Sequence, residues 1–477
     1  MGMSKLDICS QEQKTQPNNC PLTRKVNRFL AAPRYVMLVT LLAAVSNLFS
    51  LELAVYGLYA ALIVYICLFG EDLLPLMPIV ICCYVAPSAR NNPGREEASV
   101  FFAGHGGNLI LLYGVAIALA VIYRLIRDRK QFLSQKYTFL SGMLVLTAAY
   151  LLSGIGSDAY PAAILPNLRY ALVQGCALIL PYVLIAGGVN WKKARNDYFA
   201  WTGFGVGLLL LLEIVWIYYS GVVVVDGIIQ RLNIYTGWGM HNNIGCLLAM
   251  MIPFAFYLAT KYRRGWIGTV IGSAFLVGVL LSCSRGSILM ACVVYVICVW
   301  LMLHYAKNRR TNFIALVSVT CALVLLFLLF HRQIVQLFSD LLGRGADPSG
   351  RDEIYLEGWR LFLQRPVFGS SFFSPGYTPW EWSTTDFTGF LPSRWHNTVI
   401  QLLTSCGVVG LAAYGFHRFQ AARFFIFDHT KEKNFIGCSL TVLLCCSLVD
   451  CHFFNIGPVL FYAMSLAFAE NIHNSCR

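Results

Sequence analysis

The chain has 477 residues, 57% of them hydrophobic and only 12% charged, and its 36 Lys and Arg outnumber 23 Asp and Glu. Soluble domains carry about twice that share of charge and roughly 45–50% apolar residues. The balance excludes a soluble globular enzyme, a disordered chain and a small disulfide-stapled scaffold, and it predicts an all-α, polytopic membrane helix bundle.

A helix needs about 20 apolar residues to cross the ~30 Å hydrocarbon core of a bilayer. Residues 1–34 precede any such stretch; they are polar, contain Pro17, Pro21 and Pro33, lack a cleavable signal pattern, and are expected to form a flexible cytoplasmic tail. Fourteen candidate spans follow: Val36–Phe49, Leu51–Leu68, Leu73–Val85, Asn108–Tyr123, Thr138–Ile155, Tyr170–Val189, Trp201–Tyr219, Asn242–Thr260, Trp266–Cys283, Ser287–Leu303, Phe313–Phe330, Thr398–Phe416, Phe435–Leu448 and Ile456–Ala469. Only Gly70-Glu71-Asp72 separates the second from the third, and several are short. The expectation is 12–14 transmembrane helices within one domain, residues 35–470.

The basic residues supply the orientation. Six precede the first span, and later clusters are Arg124 to Lys136, Lys192/Lys193/Arg195, Lys261/Arg263/Arg264, Lys307/Arg309/Arg310 and Arg418/Arg423/Lys431/Lys433, with Arg477 at the end. With fourteen spans and an inside N-terminus all of these fall on one side, 25 of the 36 basic residues. The positive-inside rule then places both termini in the cytoplasm. The charge excess is a topology signal, and no nucleic acid is needed to explain it. One stretch, residues 331–396, is far too long for a simple connection. It falls on the extracytoplasmic side, and loops of that length are usually functional.

Most of the 17 cysteines lie inside apolar spans, Cys82, Cys83, Cys292, Cys298, Cys321, Cys445 and Cys446 among them, and no CxxC pair occurs. They read as small hydrophobes, and no metal site is expected.

Three polar features converge on the extracytoplasmic side, where ionisable groups near membrane depth are costly and point to function. Ser282-Cys283-Ser284-Arg285-Gly286-Ser287 joins two strongly apolar spans with almost no room for a loop. A tight turn is expected, permitted by Gly286, with Arg285 directed into a cavity; the plainer reading of Arg285 is a side chain snorkelling to the interface. From Ser349-Gly350-Arg351 to Pro366 the pattern is helical, with Tyr355, Trp359 and Phe362 on one face and Glu353, Glu357, Arg360 and Gln364 on the other. That spacing predicts an amphipathic interfacial helix opened by Arg351, where a solvated surface charge is the plainer reading. Arg394-Trp395-His396-Asn397 immediately precedes the Thr398–Phe416 span. His396 then sits at the positive end of a helix dipole, which favours a neutral ring able to accept a proton. Asn397 is placed to cap the helix or orient that ring.

The order SRG at the outer end of a span, SGR opening a helix in a long external loop, and WHN leading into a Gly-containing span resembles the O-antigen ligase and O-antigen polymerase superfamily. Ser349–Ser370 with its Pro366-Val367-Phe368-Gly369 ending is similar to that family's loop helix. His396-Asn397-Thr398-Val399-Ile400-Gln401 and Gly407-Val408-Val409-Gly410-Leu411 are similar to its following span. The likeness covers roughly Gly239 to Tyr414. His241-Asn242-Asn243 falls near the family's Asn-containing helix start, which gives Asn243 a supporting role; fourteen spans exceed the twelve usual in the ligases.

The resemblance implies a bacterial cytoplasmic-membrane glycosyltransferase. Its donor would be a glycan on undecaprenyl diphosphate, its acceptor a glycan or lipid-glycan hydroxyl, and its reaction inverting, metal-independent and without cofactor. Such a transfer needs guanidinium groups for the leaving diphosphate and a base for the hydroxyl. Arg285 and Arg351 fit the first role and His396 the second, with Asn397, Ser284, Gly286, Asn243 and Arg394 in support. Trp380, Trp382, Phe387, Phe390 and Trp395 are candidates to stack on sugar faces or to anchor the loop at the interface. The alternative from another class is a lipid-linked oligosaccharide flippase, which would show internal pseudo-symmetry and site residues near the bilayer midplane.

Overall fold

The computed structural model describes residues 21–49, 51–82, 105–157, 160–236, 239–343, 350–373 and 394–472, which form a helical bundle with two short β-hairpins. Each of the fourteen apolar segments is helical in whole or in part. Among the described residues seven helices are long and apolar enough to cross a membrane: Asn108–Arg127, Ile164–Gly188, Tyr198–Tyr219, His241–Lys261, Arg285–Tyr305, Arg309–Leu337 and Thr398–Phe427. Leu53–Phe69, Leu140–Leu151 and Trp266–Leu281 are apolar but shorter.

The centre of the bundle is the His241–Lys261 helix, in which every residue except Asn242, Asn243 and Lys261 is buried. It packs against the helices Tyr198–Tyr219, Trp266–Leu281, Arg285–Tyr305 and Lys431–Cys446. Small residues let these backbones approach, as is usual where lipid supplies no hydrophobic drive between helices. A Cβ on Gly245 would stand 2.6 Å from Ser282 Oγ, and one on Gly268 would stand 2.6 Å from the Ala255 carbonyl oxygen. By contrast, the most apolar windows of Asn108–Arg127 and Arg309–Leu337 are only 11% and 6% buried. Among the described residues those two helices turn most of their apolar surface outward, as lipid-facing spans do.

Several expectations change. The stretch read as a flexible tail is helical over Pro21–Leu30 and turns by 71° into the next helix. Its Leu30 is buried, and its carbonyl accepts a hydrogen bond from the Tyr198 hydroxyl. Within Leu73–Val85 the described residues are helical over Leu76–Cys82, and residues 83–85 lie outside the described residues. The helix expected to stop at Phe330 bends there and runs on to Leu337, so the long connection expected from residue 331 begins later. Between Tyr219 and His241 lie two hairpins unmarked in the apolar pattern. The first turns on Asp226-Gly227, both at positive φ, as a two-residue hairpin turn requires.

The largest departure is at Gly407. The expected continuous span is two helices meeting at a non-helical residue, Gly407, with φ 63° and ψ −158°. The segment Pro366–Ser371 threads the gap. Val408 N–H donates to the Pro366 carbonyl at 2.8 Å, and the carbonyls of Thr404 and Ser405 accept from Ser370 and Ser371 N–H at 2.7 and 3.1 Å. Gly154 N–H donates to the Phe368 carbonyl at 2.8 Å, and Ser153 Oγ donates to the Ser405 carbonyl at 2.6 Å. Backbone freed by a helix break must be paired inside protein if it lies at membrane depth, and here the returning loop supplies the partners.

The helices define two ends. At one, Arg195 and Tyr262 donate to Asp197, Tyr257 donates to Glu432, Lys433 to Asp428, and Tyr182 to Glu470. This end holds most of the basic clusters. Arg418 departs from them: its guanidinium lies within the bundle, 4.8, 4.3 and 4.6 Å from the ring centres of Tyr414, Phe453 and Tyr462. The opposite end gathers the starts of His241–Lys261, Arg285–Tyr305 and Thr398–Phe427 with the connection 447–455 between the last two helices.

Candidate active site

Asn397 opens the Thr398–Phe427 helix. Its side-chain oxygen accepts from the N–H groups of Val399 and Ile400 at 2.8 and 3.2 Å, satisfying donors that a helix start leaves orphaned. Its amide donates to the Leu448 carbonyl at 2.7 Å, and Thr398 N–H donates to that of Ser447 at 2.9 Å. The helix start is thus stitched to the 447–455 connection. His396 adopts positive φ, 49°, as the chain turns into the helix, and its carbonyl accepts from the Tyr355 hydroxyl at 3.0 Å.

The imidazole of His396 has a partner that the sequence reading missed. Its Nδ1 lies 3.2 Å from Oδ1 of Asp450, with the two side chains 34% and 15% exposed. A carboxylate only accepts, so Nδ1 carries the proton, and in the neutral ring it is Nε2 that holds the lone pair. Asn242 Nδ2 donates to the other oxygen of Asp450 at 2.9 Å, and Cys451 N–H donates to Oδ1 at 2.7 Å. Burial alone would raise the Asp450 carboxyl, but the hydrogen bonds from His396 and from the Cys451 N–H hold it well below the usual range.

Arg351 begins the helix Arg351–Gln364, preceded by Gly350 in the left-handed region at φ 72°. The buried face of that helix is Ile354, Gly358 and Phe362, not the expected Tyr355, Trp359 and Phe362. Gly358 is the reason: a Cβ there would press on Ile400 and Trp395, so the helix rolls its smallest side onto the span. Trp359 is exposed beside Phe362, with ring centres 5.0 Å apart. Trp395, expected at a sugar face or the interface, is buried in this contact. Trp380, Trp382, Phe387 and Phe390 lie outside the described residues.

Arg285 is half-buried in the first turn of the Arg285–Tyr305 helix. The turn before it is made by Ser282, Cys283 and Ser284, and the residue at positive φ is Cys283, at 54°, not Gly286. Gly286 serves close approach instead: a Cβ there would stand 2.6 Å from Val449 Cγ2, the residue before Asp450. Ser284 Oγ donates to Ser287 Oγ at 2.9 Å. Asn243 Oδ1 faces His452 Nδ1 at 3.1 Å and accepts from Asn455 Nδ2 at 2.7 Å. Arg394 Nη1 donates to Asn455 Oδ1 at 2.6 Å.

The structure therefore gathers the expected residues from four separated stretches at one end of the bundle. To them it adds Asn242, from the His241-Asn242-Asn243 stretch already marked in the sequence, and Asp450, His452 and Asn455, which sequence reasoning overlooked. A signal existed: Asp450-Cys451-His452 and Asn455 interrupt two apolar spans on the same side as the three motifs. Among the described residues no three His, Cys, Asp or Glu side chains are grouped to hold a metal ion. Residues 270–415 match the family model described as O-antigen ligase, and no curated protein matches the chain.

Proposed function

We propose that the chain, whose residues 270–415 match the O-antigen ligase family model, transfers a glycan from undecaprenyl diphosphate to an acceptor sugar hydroxyl at the outer face of the bacterial cytoplasmic membrane. The observation that carries the mechanism is the His396–Asp450 pair, 3.2 Å apart, at the end of the bundle that also holds Arg285 and Arg351. His396 Nε2 takes the hydroxyl proton as the acceptor oxygen attacks the anomeric carbon. The bond from that carbon to the diphosphate oxygen breaks, and undecaprenyl diphosphate leaves with the electron pair. Arg285 and Arg351 meet its growing charge with forked, charge-assisted hydrogen bonds. One displacement inverts the anomeric carbon, and two guanidinium groups do the electrostatic work for which other transferases recruit a cation.

Purified protein supplied with a lipid-linked glycan donor tests this. His396→Ala and Arg285→Ala should each lose most turnover; near wild-type turnover in both, with normal folding, would sink the assignment. Activity abolished by EDTA and restored by Mg²⁺ would overturn the metal-independent step. Sizing the surface glycan after gene deletion separates the two acceptor types. Single-repeat glycans mark a lost polymerase, and accumulated lipid-linked polymer a lost ligase.

A further inference from the structure

A second hydrogen-bond chain runs beside the His396–Asp450–Asn242 trio, displaced from it by one or two residues on every backbone it touches. Arg394 precedes His396 by two residues, Asn243 follows Asn242, and His452 follows Asp450 by two. Its direction is forced. Arg394 can only donate, so Asn455 must turn its oxygen toward it, at 2.6 Å. The Asn455 amide then donates to Asn243 Oδ1 at 2.7 Å, which leaves that oxygen as the acceptor facing His452 Nδ1 at 3.1 Å. His452 must therefore carry its proton on Nδ1. The ring is buried and touches no solvent path of its own, being 1% exposed.

We infer that Arg394, Asn455 and Asn243 form a one-way relay that holds His452 as a neutral Nδ1–H donor, and that His452 is a positioning residue which fixes the Asp450 loop beneath His396. The titratable and charged groups facing the ring are Asp450, Arg394, Arg351 and His396. Burial disfavours its imidazolium, and the Arg394 and Arg351 guanidinium groups add to this against the single carboxylate, so its protonation is held down. A neutral His452 leaves the charge of Asp450 to His396 alone. Arg351 and Arg394 thereby serve the base as well as any anionic group that approaches them.

The inference rests on the reading of His396–Asp450 as the proton acceptor. Its test uses the full-length protein in lipid nanodiscs with undecaprenyl-diphosphate-linked glycan. Asn243→Ala and His452→Ala should lower kcat about tenfold, the cost of roughly one orienting hydrogen bond, with the donor KM and melting temperature little changed. His452→Asn sets an amide N–H where Nδ1–H stood and should return kcat to within about threefold of wild type. Asn243→Asp puts a carboxylate on Nδ1–H, which favours the imidazolium and should move the rising limb of the kcat/KM profile to higher pH. If His452→Asn is as impaired as His452→Ala, the basic nitrogen itself is required and the positioning role is wrong. Wild-type kcat in both alanine variants, or an unmoved profile in Asn243→Asp, also overturns it. Should His452→Ala fail to fold, the Asn243→Asp profile decides. Loss of turnover in His396→Ala with no effect in the relay variants rejects the relay alone, whereas active His396→Ala rejects the underlying reading.

Discussion

His396 Nδ1 and Asp450 Oδ1 stand 3.2 Å apart although 54 residues separate them in the chain. The contact joins the start of one helix to the connection between two others, so it exists only in the assembled bundle. Replacing Asp450 with Asn keeps the shape but removes the acceptor that fixes the imidazole tautomer. We expect kcat to fall about 10²- to 10⁴-fold, the usual worth of a positioned base, in the lipid-linked transfer assay.

The same pair has a pH signature. The Asp450 carboxyl is held below its ordinary value in the folded state. Its contribution to stability is therefore complete above the unfolded value near 3.9 and is lost only as pH falls through the lower folded value. The melting-temperature gap between wild type and Asp450→Asn should not shrink between about pH 7 and pH 5. A gap that closes across that window contradicts a depressed carboxyl.

Arg351 and Arg285 each open a helix, where the backbone dipole already favours an anion. Lysine keeps the charge but loses the planar fork. Arg351→Lys and Arg285→Lys should lower kcat/KM for the donor roughly 10- to 100-fold, a loss of about 1.4–2.8 kcal/mol of transition-state binding. Steady-state kinetics against donor concentration checks it.

Gly407 occupies a positive φ, and a Cβ there would collide with the carbonyl oxygens of Pro366 and Val367. These are backbone atoms of the threaded segment and cannot swing aside. Gly407→Ala should cost at least about 1–3 kcal/mol of stability, seen as a lower melting temperature in detergent. Gly415, eight residues on in the same helix, has nothing within 4 Å of its Cβ position. Gly415→Ala should leave stability equal or raise it by up to about 1 kcal/mol.

Gly286→Ala separates packing from function. Its new methyl would press only on the exposed Val449 side chain, which yields together with its stretch of the 447–455 connection. Melting temperature should change little, while turnover falls several-fold because Val449 carries Asp450 with it. Equal activity in wild type and variant would show that the approach of these two backbones does not set the site.

Hydropathy and charge placement were enough to mark fourteen helical segments and the polytopic all-α class, because burial in lipid demands long apolar runs whatever the neighbours are. Local chemistry was equally legible where it is satisfied locally: Asn397 caps its own helix, and Gly350-Arg351 opens one. Three-dimensional assembly decided the rest. Gly407 breaks a span that reads as continuous, since the break is stable only when Pro366–Ser371 returns to pair the freed carbonyls. Gly286 matters through Val449, 163 positions away, rather than through its own turn. Asp450, His452 and Asn455 joined the site only because the last two helices fold their connection against the starts of three others. A sequence fixes which groups must leave water; which groups then meet is set by packing between segments distant in the chain, and that is written in no local pattern.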